Sequence, residues 1–122
     1  MKILLVDDEQ YNIEALKIIL KYHCNVDSDS ICDSVFDGKQ ALEAVQRNVE
    51  SNLGMFCEYE LILMDCNMPI MDGYEATNLI RKYLQEKRLN QPIISCITGH
   101  SEQSFAKLAI KSGANQVISK PA

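Results

Sequence analysis

Carboxylates that directly follow short apolar runs are the side chains of this sequence best placed for chemistry. Asp65 follows the run LILM at residues 61–64, and the pair Asp7 and Asp8 follows the run KILLV at Lys2–Val6. A short apolar run bounded by a turn signal is typical of a strand buried on both faces of a parallel sheet. Ligands of open α/β sheets bind where the strands end, so we expect these three acids at the functional edge.

This set of acids predicts a cation site that handles phosphate. Three neighbouring carboxylates repel one another, and Mg²⁺ suits a site with few carboxylates and open positions for phosphate oxygens. Thr98 and Lys120 end two later apolar runs and would add a hydroxyl and a positive charge. Such a site favours the spread negative charge of a phosphoryl group in transfer. No Ser–His or Cys–His pairing is indicated at this edge, so the expected nucleophile is the carboxylate of Asp65.

Strand-like and helix-like segments alternate along the whole chain. Strands are predicted at Lys2–Val6, 31–36, 61–65, 93–97 and Gln116–Ser119, and helices at 10–22, around 41–49, after Asp72 and after Ser101. This alternation predicts one α/β domain with a parallel sheet and right-handed crossovers. The flavodoxin-like strand order 2-1-3-4-5 would make strands 1 and 3 neighbours and bring the three acids together.

Local signals refine this outline. Asp72 is a suitable N-cap, and Glu75 three residues later completes a capping-box pattern. Residues 24–30 are polar and are predicted to form a turn. Residues 50–60 form a longer connection than a compact α/β unit needs, and their apolar side chains are expected to cover the surface or reach a neighbour.

Composition narrows the class of protein. The chain has 122 residues and a net charge of −5, and it carries no cluster of basic residues, so we expect no direct contact with nucleic acid. It contains no apolar run near the roughly 20 residues of a membrane span and no visible signal peptide, so no membrane insertion is expected. The five cysteines are odd in number and lack CxxC spacing. They are predicted to be structural thiols in a reducing, cytoplasmic compartment, with a redox role for Cys66 as the alternative.

Four motifs, in this order, resemble the receiver (response regulator, CheY-like) domain of two-component phosphorelay signalling. They are LLVDDE at residues 4–9, MDCNMPIMDG at 64–73, ITGH at 97–100 and ISKP at 118–121. Together they extend over almost the whole chain. The stretches MPIMDGYEAT at 68–77 and GANQVISKP at 113–121 resemble receivers of hybrid histidine kinases and eukaryotic phosphorelays more than those of transcription factors.

The resemblance implies a site built on Mg²⁺. Asp65 would be the phosphoacceptor and would also contact the metal. Asp8 would be a direct Mg²⁺ ligand, and Asp7 would act largely through water. The backbone carbonyl of Asn67 would complete the ligands that the protein supplies.

The resemblance also implies roles on the rim of the site. Lys120 would pair with the phosphoryl group, Thr98 would turn towards it on phosphorylation, and the bond between Lys120 and Pro121 would be cis. His100 and Asn67 flank the site and are predicted to tune dephosphorylation. The phosphoryl donor would be a phosphohistidine on a histidine kinase or a histidine-phosphotransfer protein.

The sequence departs from the family pattern at two points. Val117 stands three positions before the lysine, where the family usually has an aromatic residue that works with the threonine. The family also has a fifth helix after Lys-Pro, whereas this sequence stops at Ala122, so we expect a domain over residues 1–122 that lacks this helix. The apolar sheet face left open would favour weak association into a homodimer.

Two other functions compete with a phosphoacceptor domain. A haloacid-dehalogenase-like phosphatase also forms an aspartyl phosphate, but that family wants an acid two residues after the nucleophile, where this chain has Asn67. A pseudo-receiver would be a binding module that is never phosphorylated. The usual sign of that class, loss of an acid or of the lysine, is not present here, and fold alone does not separate the two.

Overall fold

The described residues form a five-stranded parallel sheet. The structure is a computed structural model that describes residues 2–25, 27–66, 71–98 and 103–119. The strands are β1 (Lys2–Val6), β2 (Cys32–Val35), β3 (Tyr59–Asp65), β4 (Ile93–Thr98) and β5 (Gln116–Ser119). Their order is β2-β1-β3-β4-β5, with every neighbouring pair parallel. The predicted flavodoxin-like order is therefore confirmed.

Helices alternate with these strands and differ from the prediction mainly at their ends. They are α1 (Gln10–His23), α2 (Ser28–Ile31), α3 (Gly38–Ser51), α4 (Gly73–Glu86) and α5 (Gln103–Ser112). The single-turn helix α2 was not predicted, because its polar sequence SDSI has no apolar periodicity. β3 begins two residues earlier than predicted, at Tyr59, where the register with β1 shifts. None of the described helices has the length and apolarity needed to cross a bilayer.

One face of the sheet carries the larger part of the core. Alternate residues of the strands, such as Leu4, Ile62 and Ile94, point to this face and are fully buried. They pack against buried residues of α3 and α4, such as Val45 and Ile80. This layer fixes the two helices that flank the carboxyl edge of β3.

The opposite face is covered less completely. Ile3 and Leu5 pack there against Ile13 and Leu20 of α1. Further along the same sheet, β4 leaves Ile93 53% exposed and β5 leaves Ile118 44% exposed. The described chain therefore presents apolar side chains on the β4–β5 side.

The start of α4 is pressed against the end of β3. A Cβ atom on Gly73 would collide with the carbonyl oxygen of Asp65 and lie 2.8 Å from the Cα of Cys66, so only glycine fits. The Asp72 carboxylate accepts a hydrogen bond of 2.8 Å from the backbone N–H of Glu75, which confirms Asp72 as the predicted N-cap. Glycine and cap together place the first turn of α4 beside the functional edge.

Candidate metal centre

Three carboxylates from two neighbouring strands meet at the carboxyl edge of the sheet. One oxygen from each of Asp7, Asp8 and Asp65 lies within 4.8 Å of the other two. β1 pairs directly with β3, with Val6 opposite Met64, so the residues that follow both strands arrive at the same level. The predicted convergence of these acids is thus observed, although they are far apart in the sequence.

The acids of the first strand differ in their surroundings. Asp7 is only 3% exposed, and its Oδ1 accepts hydrogen bonds from the Glu9 N–H at 2.9 Å and the Asn12 side chain at 3.3 Å. These bonds hold the Asp7 carboxylate in one orientation. Asp8 is exposed, so its carboxylate can rearrange around an incoming group.

Asp65 and Thr98 end adjacent strands and are both buried. Each is 1% exposed. The register pairs Asp65 with Ile97, and the Cys66 N–H donates to the Ile97 carbonyl at 2.9 Å, which extends the β3–β4 ladder past the acid. Thr98 therefore follows at the next level, on the strand beside Asp65.

The donor set fits Mg²⁺. Carboxylate oxygens are hard ligands that suit Mg²⁺, Ca²⁺ or Mn²⁺ and do not favour soft metals. One oxygen of each acid lies close enough to the other two for a single hard cation to be held among the three carboxylates, with water as its remaining ligands. Two of the acids are buried, and buried negative charge is costly unless a cation neutralises it.

A pair of cysteines lies beneath this edge. Both are buried; Cys66 directly follows β3, and Cys96 lies within β4, two residues before Thr98. The hydrogen bond between the two side chains raises the pKa of the Cys66 thiol, and burial raises it further. The same bond lowers the pKa of Cys96, and Thr77 adds a contact of 3.8 Å to its sulfur. These contacts are typical of packed structural thiols, and the redox role of Cys66 stays a prediction.

Tyr74 is a residue of this region that sequence reasoning missed. It lies in the first turn of α4, and its buried hydroxyl oxygen has no hydrogen-bond partner among the described residues. Burial raises the pKa of this hydroxyl, and the neighbouring side chains of Cys66 and Thr98 modify it. An aromatic residue directly after Asp72-Gly73 was the available signal, but the sequence does not tell which way its side chain points.

Several predicted site residues lie outside the described residues. They are Asn67, His100, Lys120 and Pro121. Their assigned roles, including the cis bond before Pro121, stay predictions. Of the predicted set, the structure brings Asp7, Asp8 and Asp65 together and places Thr98 on the strand beside Asp65.

The chain belongs to the response regulator receiver domain family. The family model "Response regulator receiver domain" matches residues 3–122, almost the entire chain. This agrees with the parallel sheet order and the acid cluster, and it confirms the resemblance drawn from the four motifs.

Similar proteins add detail on the kind of receiver. The chain is 37% identical over 121 residues to the autoinducer 2 sensor kinase/phosphatase LuxQ of Vibrio vulnificus. The aligned region covers 99% of this chain and 12% of that relative. The chain thus spans about an eighth of the length of this curated relative.

Solved structures show the same fold. The receiver domain of the histidine kinase CKI1 from Arabidopsis thaliana, in complex with Mg²⁺, has a TM-score of 0.83 and 29% identity, covering 97% of this chain and 81% of that chain. A second match comes from the Saccharomyces cerevisiae complex of the histidine phosphotransfer protein Ypd1 with the receiver domain of Ssk1. It has a TM-score of 0.78 and 25% identity, and it covers 100% of this chain and 79% of that chain.

Proposed function

We propose that this chain is the phosphoacceptor domain of a phosphorelay and that Asp65 accepts the phosphoryl group. The observation that carries this proposal is the convergence of Asp7, Asp8 and Asp65, with oxygens within 4.8 Å, at the carboxyl edge of a receiver fold. Receiver domains are signalling domains. On this proposal the only chemistry of the chain is its own phosphorylation and dephosphorylation.

The reaction is a transfer between two side chains. A carboxylate oxygen of Asp65 forms a bond to phosphorus while the bond from phosphorus to the imidazole nitrogen of a phosphohistidine breaks, and the imidazole takes up a proton. Asp65 is held rigidly at the end of β3, so its oxygen meets the phosphorus with little loss of orientation. Lys120 would pair with the transferred phosphoryl oxygens, and Thr98 would donate its hydroxyl to them.

Asp7, Asp8, Asp65 and the backbone carbonyl of Asn67 would hold the Mg²⁺. When bound, this ion supplies positive charge against the phosphoryl oxygens, the main electrostatic need of phosphoryl transfer. The hydrogen bonds from Glu9 and Asn12 keep the Asp7 carboxylate oriented towards the cluster. The Mg²⁺ complex of the similar CKI1 receiver supports this assignment.

A histidine kinase or a histidine-phosphotransfer protein is the proposed phosphoryl donor. The similar sensor kinase/phosphatase LuxQ and the Ypd1–Ssk1 complex support this class of partner. The pattern of thiols supports a reducing, cytoplasmic compartment. The pseudo-receiver is not favoured, because all three acids are retained and gathered at one point.

A small phosphodonor tests the proposal. With Mg²⁺ and acetyl phosphate, we expect the intact protein to gain the mass of one phosphoryl group. This gain should be absent when Mg²⁺ is chelated before the donor is added, and absent in Asp65→Asn. Glu86→Gln is the control, since it also removes one carboxylate but lies exposed at the last residue of α4, at the opposite end of that helix from the site. Equal labelling of wild type and Asp65→Asn would overturn the proposal.

A further inference from the structure

The Tyr74 hydroxyl is a buried polar group whose hydrogen bonding is incomplete. Its oxygen is shielded from water, yet it has no hydrogen-bond partner in the part of the chain that the structure describes. Buried hydroxyls are nearly always bonded, because leaving one unbonded is unfavourable. An unbonded hydroxyl beside a functional site therefore requires an explanation.

The backbone that carries Tyr74 has little freedom to move away. Gly73 contacts the end of β3 so closely that no Cβ would fit. In the same turn, the Thr77 hydroxyl donates to the Gly73 carbonyl at 2.7 Å and touches Cys96 on β4. The tyrosine ring packs against the main core cluster. The first turn of α4 is thus fixed to both strands of the site.

The side chains beside the hydroxyl are Thr98 and Cys66. Both act on the pKa of the Tyr74 hydroxyl as hydrogen-bonding neighbours. Neither contact reaches the distance and angle of a full hydrogen bond, so the hydroxyl is only partly satisfied. A thiol is a weak acceptor, whereas a threonine hydroxyl has one proton to donate and two lone pairs. The Thr98 hydroxyl oxygen is therefore the better acceptor for the Tyr74 O–H.

We propose that Tyr74 is a positioning residue for Thr98, and that its hydroxyl gains a full hydrogen bond when the phosphoryl site is occupied. This inference rests on the proposed function. When the Thr98 hydroxyl donates its proton to a phosphoryl oxygen, its own lone pair is available to the Tyr74 O–H. The result is a chain of hydrogen bonds from α4 through Thr98 to the phosphoryl group, in which no covalent bond changes.

The Tyr74 hydroxyl then has opposite effects on the stability of the unoccupied and the occupied protein. It is unfavourable in the unoccupied protein, where it is unbonded, and favourable in the occupied one, where it is bonded. A group that stabilises one state over another shifts the equilibrium between them, and the coupling is reciprocal. Removing the hydroxyl should therefore stabilise the unoccupied protein while weakening occupancy.

Tyr74→Phe tests this with beryllium trifluoride and Mg²⁺ as the phosphoryl mimic. We expect the variant to melt at a higher temperature than wild type without the mimic, and to bind it about tenfold more weakly, equivalent to ~1.4 kcal/mol. Affinity is measured by calorimetric titration and melting by circular dichroism. Tyr83→Phe removes a hydroxyl from the same helix away from the site and should change neither quantity.

A double-mutant cycle separates positioning from general packing. In a Thr98→Ala background, the Tyr74→Phe change should no longer alter the affinity for the mimic, because the partner is gone. Equal affinity of wild type and Tyr74→Phe, a lower melting temperature of the variant, or an undiminished effect in the Thr98→Ala background would each overturn the inference. Failure of the wild-type protein to bind the mimic would instead overturn the proposed function, and this inference with it.

Discussion

Asp7 and Asp65 are carboxylates that the fold buries beside each other, and this is unfavourable without a positive partner. The exposed Asp8 completes the cluster at its rim. Natural proteins retain such an arrangement where it binds a cation or supports chemistry. At the scale of single residues, the site is therefore defined by three negative charges that the fold brings to one place.

Gly73 permits the close approach that sets the edge of this site. We expect Gly73→Ala to lower the free energy of unfolding by about 1–3 kcal/mol, because the new Cβ would collide with the backbone of Asp65 and Cys66. Labelling of Asp65 by acetyl phosphate should also slow. Urea unfolding and mass spectrometry measure the two effects.

Gly54→Ala is the comparison for Gly73→Ala. Gly54 has a φ of +72°, but a Cβ there would meet open space. Gly54→Ala should lower the free energy of unfolding by only about 1–2 kcal/mol, from backbone strain. Labelling of Asp65 should be unchanged. If both variants label normally, the close packing at Gly73 does not control the site.

At the scale of elements, α4 connects the functional edge to the far side of the sheet. Its first turn contacts β3 and β4, and its later turns are held by Arg81. The Arg81 guanidinium donates to the carbonyls of Gly113 and Pro92 at 2.8 and 2.7 Å, and to the side chains of Gln91 and Asn115 at 2.9 and 2.7 Å. α4 is thereby fastened to the segment that precedes β4 and to the turn between α5 and β5.

Replacing Arg81 should loosen this connection. We expect Arg81→Ala to lower the free energy of unfolding by about 2–3 kcal/mol, because several acceptors lose a charged donor. Arg81→Lys should recover only part of this, since an ammonium group cannot reproduce the planar fork. Urea unfolding checks both, and the exposed Lys82→Ala on the same helix should stay within about 0.5 kcal/mol of wild type.

The connection after α3 is ordered by hydrogen bonds. The Gly54 N–H donates to the Val49 carbonyl at 2.8 Å, and Asn90 exchanges two hydrogen bonds with the backbone of Cys57. Leu53 and Met55 remain exposed. That residues 50–60 cover the surface or reach a neighbour stays a prediction.

At the scale of the whole molecule, the two faces of the sheet differ in coverage. One is packed against three helices, whereas the other leaves Ile93 and Ile118 partly exposed. Exposed apolar patches mark surfaces that associate. The predicted weak homodimer would use this face, and the prediction that a final helix is missing from it stays a prediction.

Charge on this face should prevent association of the 122-residue chain. We expect wild type to associate weakly with rising concentration in sedimentation velocity, and the double variant Ile93→Lys, Ile118→Lys to remain monomeric, because burying the lysines would be costly. Met55→Lys adds charge to another exposed apolar position and should behave as wild type. If Met55→Lys abolished association while the double variant still associated, the interface would lie elsewhere.

The fold was largely predictable because each element carries a local signal. Apolar runs indicated the strands, and Asp72 indicated the start of α4. The acids were predictable because they follow those runs directly. The helix α2 was missed because three polar residues and one isoleucine show no periodicity, and β3 was predicted too short because Tyr59-Glu60 is not an apolar run.

The sequence by itself determined the order of strands and helices and which acids end them, because apolar periodicity and capping act over a few residues. Only the tertiary structure decided that these acids lie within 4.8 Å of one another, that Gly73 contacts the backbone of Asp65, and that the Tyr74 hydroxyl is buried beside Thr98. Those relations depend on register and side-chain direction across strands far apart in the chain, and no local pattern encodes them.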